Sequence, residues 1–189
     1  MLMKSVPVEH RVLGLDRRKL AATLAVLALI VLWAVAVPYI DSSISYETEV
    51  AAGQTFDVGS GVTIVPPTRW EVDPQTALTQ GLLVVHNSGL TVTVTVGTFD
   101  GDLSELMESA NDSLGIDRIT SPQSSITTTQ GSTGLIESFD SANSHGVFAV
   151  FAEDGVGVEI ESLGPEPMAT RFADEINAMI LSLQFGATS

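Results

Sequence analysis

Along this chain one long apolar run is followed by short segments in which apolar and polar residues alternate or recur. From Leu20 to Ile40 there are 21 residues without a charge. As a helix they would span roughly 31 Å, close to the hydrocarbon thickness of a bilayer of about 30 Å. Beyond it, Val62–Val65 predicts a short strand that Pro66-Pro67 stops, and Trp70 is expected as a core anchor. Leu82–Val85 leads through Asn87-Ser88-Gly89 into a segment where Leu90, Val92, Val94 and Val96 alternate with Thr91, Thr93 and Thr95, a hairpin pattern. A second hairpin pairs Ile126–Gln130 with Leu135–Phe139 around Gly131 to Gly134. A third pairs Val147–Ala152 with Val156–Ser162 around Asp154-Gly155, the strongest turn signal in the chain. Val147–Ala152 is apolar at every position, as in a strand covered on both faces. Val156, Val158 and Ile160 alternate with Gly157, Glu159 and Glu161, so this strand is expected to show one face to water.

Two segments carry helical periodicity instead. One aligns Leu103, Leu106, Met107, Ala110 and Leu114, with Asp102 as N-cap and Gly115 as stop. The other aligns Met168, Phe172, Ile176, Met179, Ile180 and Leu183. The order of strand, hairpin, helix, hairpin, hairpin, helix predicts an α+β fold, an antiparallel sheet sandwich covered by two helices. The division is a cytoplasmic segment 1–19, a single transmembrane helix 20–40, a tether 41–56 and an extracytoplasmic α+β domain 57–189. There is no internal repeat.

Charge fixes the orientation. Lys4, Arg11, Arg17, Arg18 and Lys19 precede the apolar run, against Glu9 and Asp16. After it lie 21 acidic residues and only Arg69, Arg118 and Arg171, a formal −18 for residues 41–189. Basic residues stay cytoplasmic, so the N-terminus is expected inside and the acidic body outside. Ala34-Val35-Ala36 resembles a cleavage site, the alternative to a retained anchor. The run exceeds the apolar core of a signal peptide, and Trp33 and Tyr39 sit where an aromatic belt would hold the outer end of a span, which favours the anchor. It carries no charge, so attachment and contact are its expected roles, not conduction.

Composition narrows the chemistry. Without cysteine there is no disulfide framework, lipid-modified Cys, thiolate metal site or Cys nucleophile. The acidic body argues against a nucleic-acid partner, which requires Lys and Arg facing phosphates. It favours a basic partner surface or divalent cations. No G-x-S-x-G elbow occurs, and no Gly-rich loop is followed by a lysine. The expectation is a non-enzyme with no catalytic residues, no bound cofactor and no metal site. Three weaker features have plain structural readings beside the chemical ones. His86 and His145 stand at strand ends, His10 falling on the cytoplasmic side, and an exported His pair would suit Zn²⁺ or Cu²⁺; solvated histidines are the simpler expectation. Asp100, Asp102, Glu105 and Glu108 gather carboxylates that would suit Ca²⁺, or simply an acidic helix start. Arg171 and Glu175 have the spacing of a surface ion pair.

The segments "PPTRWEV", "NDSLG", "TTTQGSTGLIESF", "GVFAVFAEDGVGVEIES" and "EINAMILSLQF", together spanning Val62 to Phe185, resemble the PsbP/Mog1-like α/β/α sandwiches. They are similar in particular to envelope-associated actinobacterial members of the LpqN and TtfA type. The resemblance implies an accessory role beside a larger membrane assembly, or the handling of an envelope lipid. Two functions are therefore expected from different classes. One is a single-pass accessory subunit docking on a larger integral membrane complex, for envelope-lipid export or respiration. The other is a module binding lipid or another apolar ligand under the last helix, where Met179 would line the pocket.

Overall fold

The computed structural model describes residues 11–12, 15–16, 48–74, 76, 79–114, 118–141 and 144–186. The expected span 20–40, its aromatic belt and His10 lie outside these residues. Among the described residues no helix is long and apolar enough to cross a membrane. The chain divides into two compact units, Met1–Ser45 and Tyr46–Ser189. In the first, β1 (Arg11–Val12) pairs antiparallel with β2 (Leu15–Asp16).

The second unit begins earlier than the expected domain start at residue 57. β3 (Thr48–Glu49), inside the stretch read as a tether, pairs with β6 (Glu71–Val72), and Val50 beside it is buried. Two residues are too short for an alternation signal, so this edge had no pattern to announce it. β4 (Phe56–Gly59) and β5 (Val62–Ile64) follow, joined through Ser60 and Gly61 at φ 53° and 77°. Positive φ at both central residues is what a type I′ hairpin turn requires. The same device joins β7 (Leu82–Asn87) to β8 (Leu90–Thr98) through Ser88 and Gly89, at φ 53° and 83°.

After β8 comes α1 (Leu103–Leu114), then β9 (Arg118–Ile119), β10 (Ser124–Thr127) and β11 (Thr133–Ser141). β12 (Ser144–Glu153) and β13 (Val156–Gly164) meet at Asp154 and Gly155, with φ 50° and 78°. α2 (Glu166–Arg171), α3 (Ala173–Leu181) and β14 (Gln184–Phe185) close the described chain.

The main sheet has nine strands in the order β10-β11-β12-β13-β8-β7-β6-β3, with β9 also on β11, and every pairing is antiparallel. A second sheet of three strands runs β14-β5-β4. Gly81 joins the two: its N–H donates to the Val58 carbonyl at 2.9 Å and its carbonyl accepts from Val96 N–H at 2.7 Å. At φ 79°, with a Cβ destined to lie 2.5 Å from the Val96 oxygen, this position admits only glycine.

The second hairpin is set back from its expected place, with β10 starting at Ser124 and the turn beginning at Thr128. β10 is largely exposed, so its polar residues carry no burial signal. The expected last helix is also two: α2 ends and α3 starts at Phe172, whose φ −101° and ψ 11° lie outside the helical well. The break lets Phe172 stay in the core while Trp70 meets it edge-on, ring centroids 5.6 Å apart. α1 covers one face of the sheet, and α2 and α3 lie on the other. Alternation along β12 separates them, with Phe148 and Val150 in the cluster of α1 and Ala149 and Phe151 in the larger core beneath α2 and α3.

Candidate functional site

Among the described residues, a cleft of about 320 Å³ lies between α2–α3 and the sheet. Its floor is Ile136 and Ser138 of β11, His145 and Val147 of β12, and Ser162 of β13. The register places Ser138, Val147 and Ser162 in one row across three strands, so their side chains share a face. Ala169 and Thr170 of α2 and Ala173, Ile176, Asn177 and Ile180 of α3 form the roof. The small side chains of Ala169 and Ala173 leave the space between roof and floor unfilled. Ser162 is buried, and its Oγ accepts from Val147 N–H at 3.1 Å, leaving its own proton to donate.

One side chain in this cleft is held by a charged neighbour. Asp140 and His145 are direct partners in the β11–β12 register, and Asp140 Oδ1 lies 2.9 Å from His145 Nδ1. Both are about one-third exposed, at 33% and 31%. A carboxylate at Nδ1 draws the ring proton there and leaves Nε2 as an acceptor in the neutral imidazole. Sequence reasoning picked out His145 but not Asp140; "DSANSH" between two strands carries the signal, because a hairpin puts these two residues opposite each other.

The other candidates are dispersed. His86 lies on β7, three strands from His145 and on the opposite face of the sheet, with Glu71 Oε2 3.6 Å from its Nε2. The structure does not bring the two histidines together, and among the described residues no group of three or more His, Cys, Asp or Glu side chains is placed to hold a metal. Asp102 is engaged as the cap of α1. Its Oδ1 accepts from Ser104 and Glu105 N–H at 2.8 and 2.9 Å, and Glu105 Oε2 accepts from Asp102 N–H at 3.2 Å, a reciprocal capping box.

Arg171 and Glu175 take other partners than each other. The Arg171 guanidinium stands 5.2 Å from the Phe172 ring centroid, and Glu175 Oε2 accepts from Trp70 Nε1–H at 2.7 Å. The break at Phe172 removes the continuous helix their expected pairing needs. Met179 is 1% exposed and belongs to the main core; it borders a shallower depression with Pro66, Pro67 and Arg69, not the cleft. Ile176 and Ile180 are the stripe residues that reach the cleft.

On the α1 face, Glu159 and Glu161 are half-buried on β13, and burial raises both carboxyls above their ordinary pKa of 4.5. Beneath α1, Glu137 is 4% exposed, and its Oε1 and Asn111 Oδ1 have no hydrogen-bond partner among the described residues.

No family model matches the chain, and no curated protein sequence matches it. Among solved structures it is similar to cyanobacterial PsbP (CyanoP) from Synechocystis sp. PCC 6803, with a TM-score of 0.51 at 13% identity, over 70% of this chain and 91% of that one. A crystal structure from Bacteroides thetaiotaomicron VPI-5482 superposes less closely, with a TM-score of 0.45 at 11% identity, over 71% of this chain and 49% of that one. At 13% identity the likeness concerns architecture alone. The domain has a PsbP-like α+β fold, with antiparallel sheets and few helices.

Proposed function

We propose that the chain is a single-pass protein of the cell membrane, with a cytoplasmic N-terminus and an extracytoplasmic domain, acting as a non-catalytic accessory subunit on a larger integral membrane complex. The observation that carries this is the partition of charge about Leu20–Ile40: five of eight basic residues precede it, and 21 of 23 acidic residues follow. An acidic domain held near a membrane suits contact with a basic outer surface, weakened by salt. The kinship proposed is with actinobacterial envelope proteins of the LpqN and TtfA type, and the complexes proposed are envelope-lipid export machinery or a respiratory assembly. Replacing Leu20–Ile40 with an unrelated anchor of equal length should reduce co-purification of the partner subunits. Undiminished co-purification would remove the membrane half of the proposal.

A second reading, a module that binds lipid or another apolar ligand, is favoured by the cleft under α2 and α3. Its size falls at the lower end of small-molecule sites, roughly 300–1,000 Å³.

A further inference from the structure

The two faces of β13, β8 and β7 are covered unequally. On one, Leu83, Val85, Val92, Val94, Val158 and Ile160 are closed to solvent in the larger core. On the other, the register forms two rows, Glu161–Thr93–Val84 and Glu159–Thr95–Leu82, and none of these six side chains is buried. α1 packs over β11 and β12, beside both rows. We propose that this open half of the sheet is the docking surface of the domain, and that a basic amphipathic helix of the partner complex lies on it alongside α1. The inference deepens the accessory-subunit reading and rests on it.

A sheet face with apolar positions is stable when another element covers it, and α1 already covers the neighbouring strands with a helix. Three adjacent strands span roughly 10 Å, the breadth of a single helix. Each row runs from a carboxylate on the α1 side, through a threonine, to an apolar residue on the far side. The surface therefore fits a helix with lysine or arginine along one edge and apolar residues along the other. Charge favours the same occupant. Burial raises the Glu159 and Glu161 carboxyls, and no cation opposes it. The only lysines or arginines of 41–189 lie elsewhere: Arg69 borders the depression beside α3, Arg171 ends α2, and Arg118 is on β9, which pairs with β11. Half-desolvated carboxylates without a counter-charge weaken the free domain, and a cation arriving from a partner turns that cost into attraction.

The test places p-benzoylphenylalanine at Thr95, an exposed position in the middle of the surface, in the full chain in its native membranes. Thr93 serves if that variant does not fold, and Thr170, exposed on α2, is the control. On irradiation, Thr95 should give an adduct with a subunit of the complex roughly tenfold more abundant than Thr170 does. The attached peptide, read by mass spectrometry, should carry lysine or arginine at helical spacing. Glu159→Gln with Glu161→Gln should lower the Thr95 adduct roughly tenfold, the scale of two partly buried ion pairs, while the melting temperature at neutral pH rises. A purely structural role for the glutamates would not separate binding from stability in this way. An equal adduct from Thr170, an adduct unchanged by the double variant, or attachment to lipid, to a second copy or to residues 1–19 of the chain itself would overturn the inference. Subunits that co-purify without any adduct at Thr95 or Thr93 would overturn this surface and leave the accessory reading standing. With no co-purifying subunit, both fall together.

Discussion

The two faces of the main sheet are built differently. Beneath α2, α3 and the small sheet, Trp70, Ile64, Leu83, Leu90, Phe151, Ile160, Met179, Ile180 and Leu183 are essentially closed to solvent in one continuous core. Beneath α1 the core is smaller, built on Leu106, Met107, Ala110, Phe139, Phe148 and Val150. Glu137, Glu159 and Glu161 share that face, placed there by their register with Phe148 and Val150. The first face carries the fold and the cleft, and the second is a partial cover that leaves carboxylates half-desolvated. β12 is therefore apolar on both sides, while β13 is apolar on one.

The largest expected effect falls on the first face. Trp70→Ala should destabilise the domain by about 3–5 kcal/mol in denaturant unfolding, since it empties a closed site and removes the edge contact to Phe172. Leu106→Ala, on the second face, should cost about 2–3 kcal/mol, because a smaller cluster beside half-exposed glutamates can relax or admit water. A cost equal to that of Trp70→Ala would mean that the α1 face is as tightly closed as the other. Smaller again, Asp102→Ala should cost about 1 kcal/mol by uncapping α1, with Asp102→Asn recovering most of it.

The smallest effect concerns pH and again separates the faces. Burial raises the folded-state carboxyls of Glu159 and Glu161, so folding favours their protonated forms. Their stabilising contribution is complete below their ordinary value of 4.5 and is lost as pH rises through the raised folded values. The melting temperature of the double variant Glu159→Gln, Glu161→Gln should exceed that of the parent at neutral pH, with the difference shrinking as pH falls toward 4.5. A difference that grows on acidification would mean that a cationic partner faces these glutamates.

Much of the fold was legible because its signals are local. The Thr/Val alternation of 90–96, the Asp154-Gly155 turn and the stripe of α1 each need only a short window, and the structure forms all three. What escaped notice depends on distant neighbours. Thr48–Glu49 is a strand because Glu71–Val72 lies beside it, and the last helix breaks at Phe172, which stays in the core edge-on to Trp70. The exposed face expected for Glu159 and Glu161 is only half-exposed, since α1 packs over the neighbouring strands. The candidate site was legible as single residues only. His145 stood out by type, but its orientation by Asp140 and the apolar lining come from register and from the seating of α2 and α3.

The central claim is a retained anchor that joins an acidic outer domain to a larger assembly. The most direct measurement is the native mass of this 19.9 kDa chain in mildly solubilised membranes, followed by intact mass on the same sample. The account predicts the uncleaved chain, Leu20–Ile40 included, migrating with a much larger complex whose other subunits name the process. A mass lacking residues 1–36, or a full-length chain migrating alone, would contradict it.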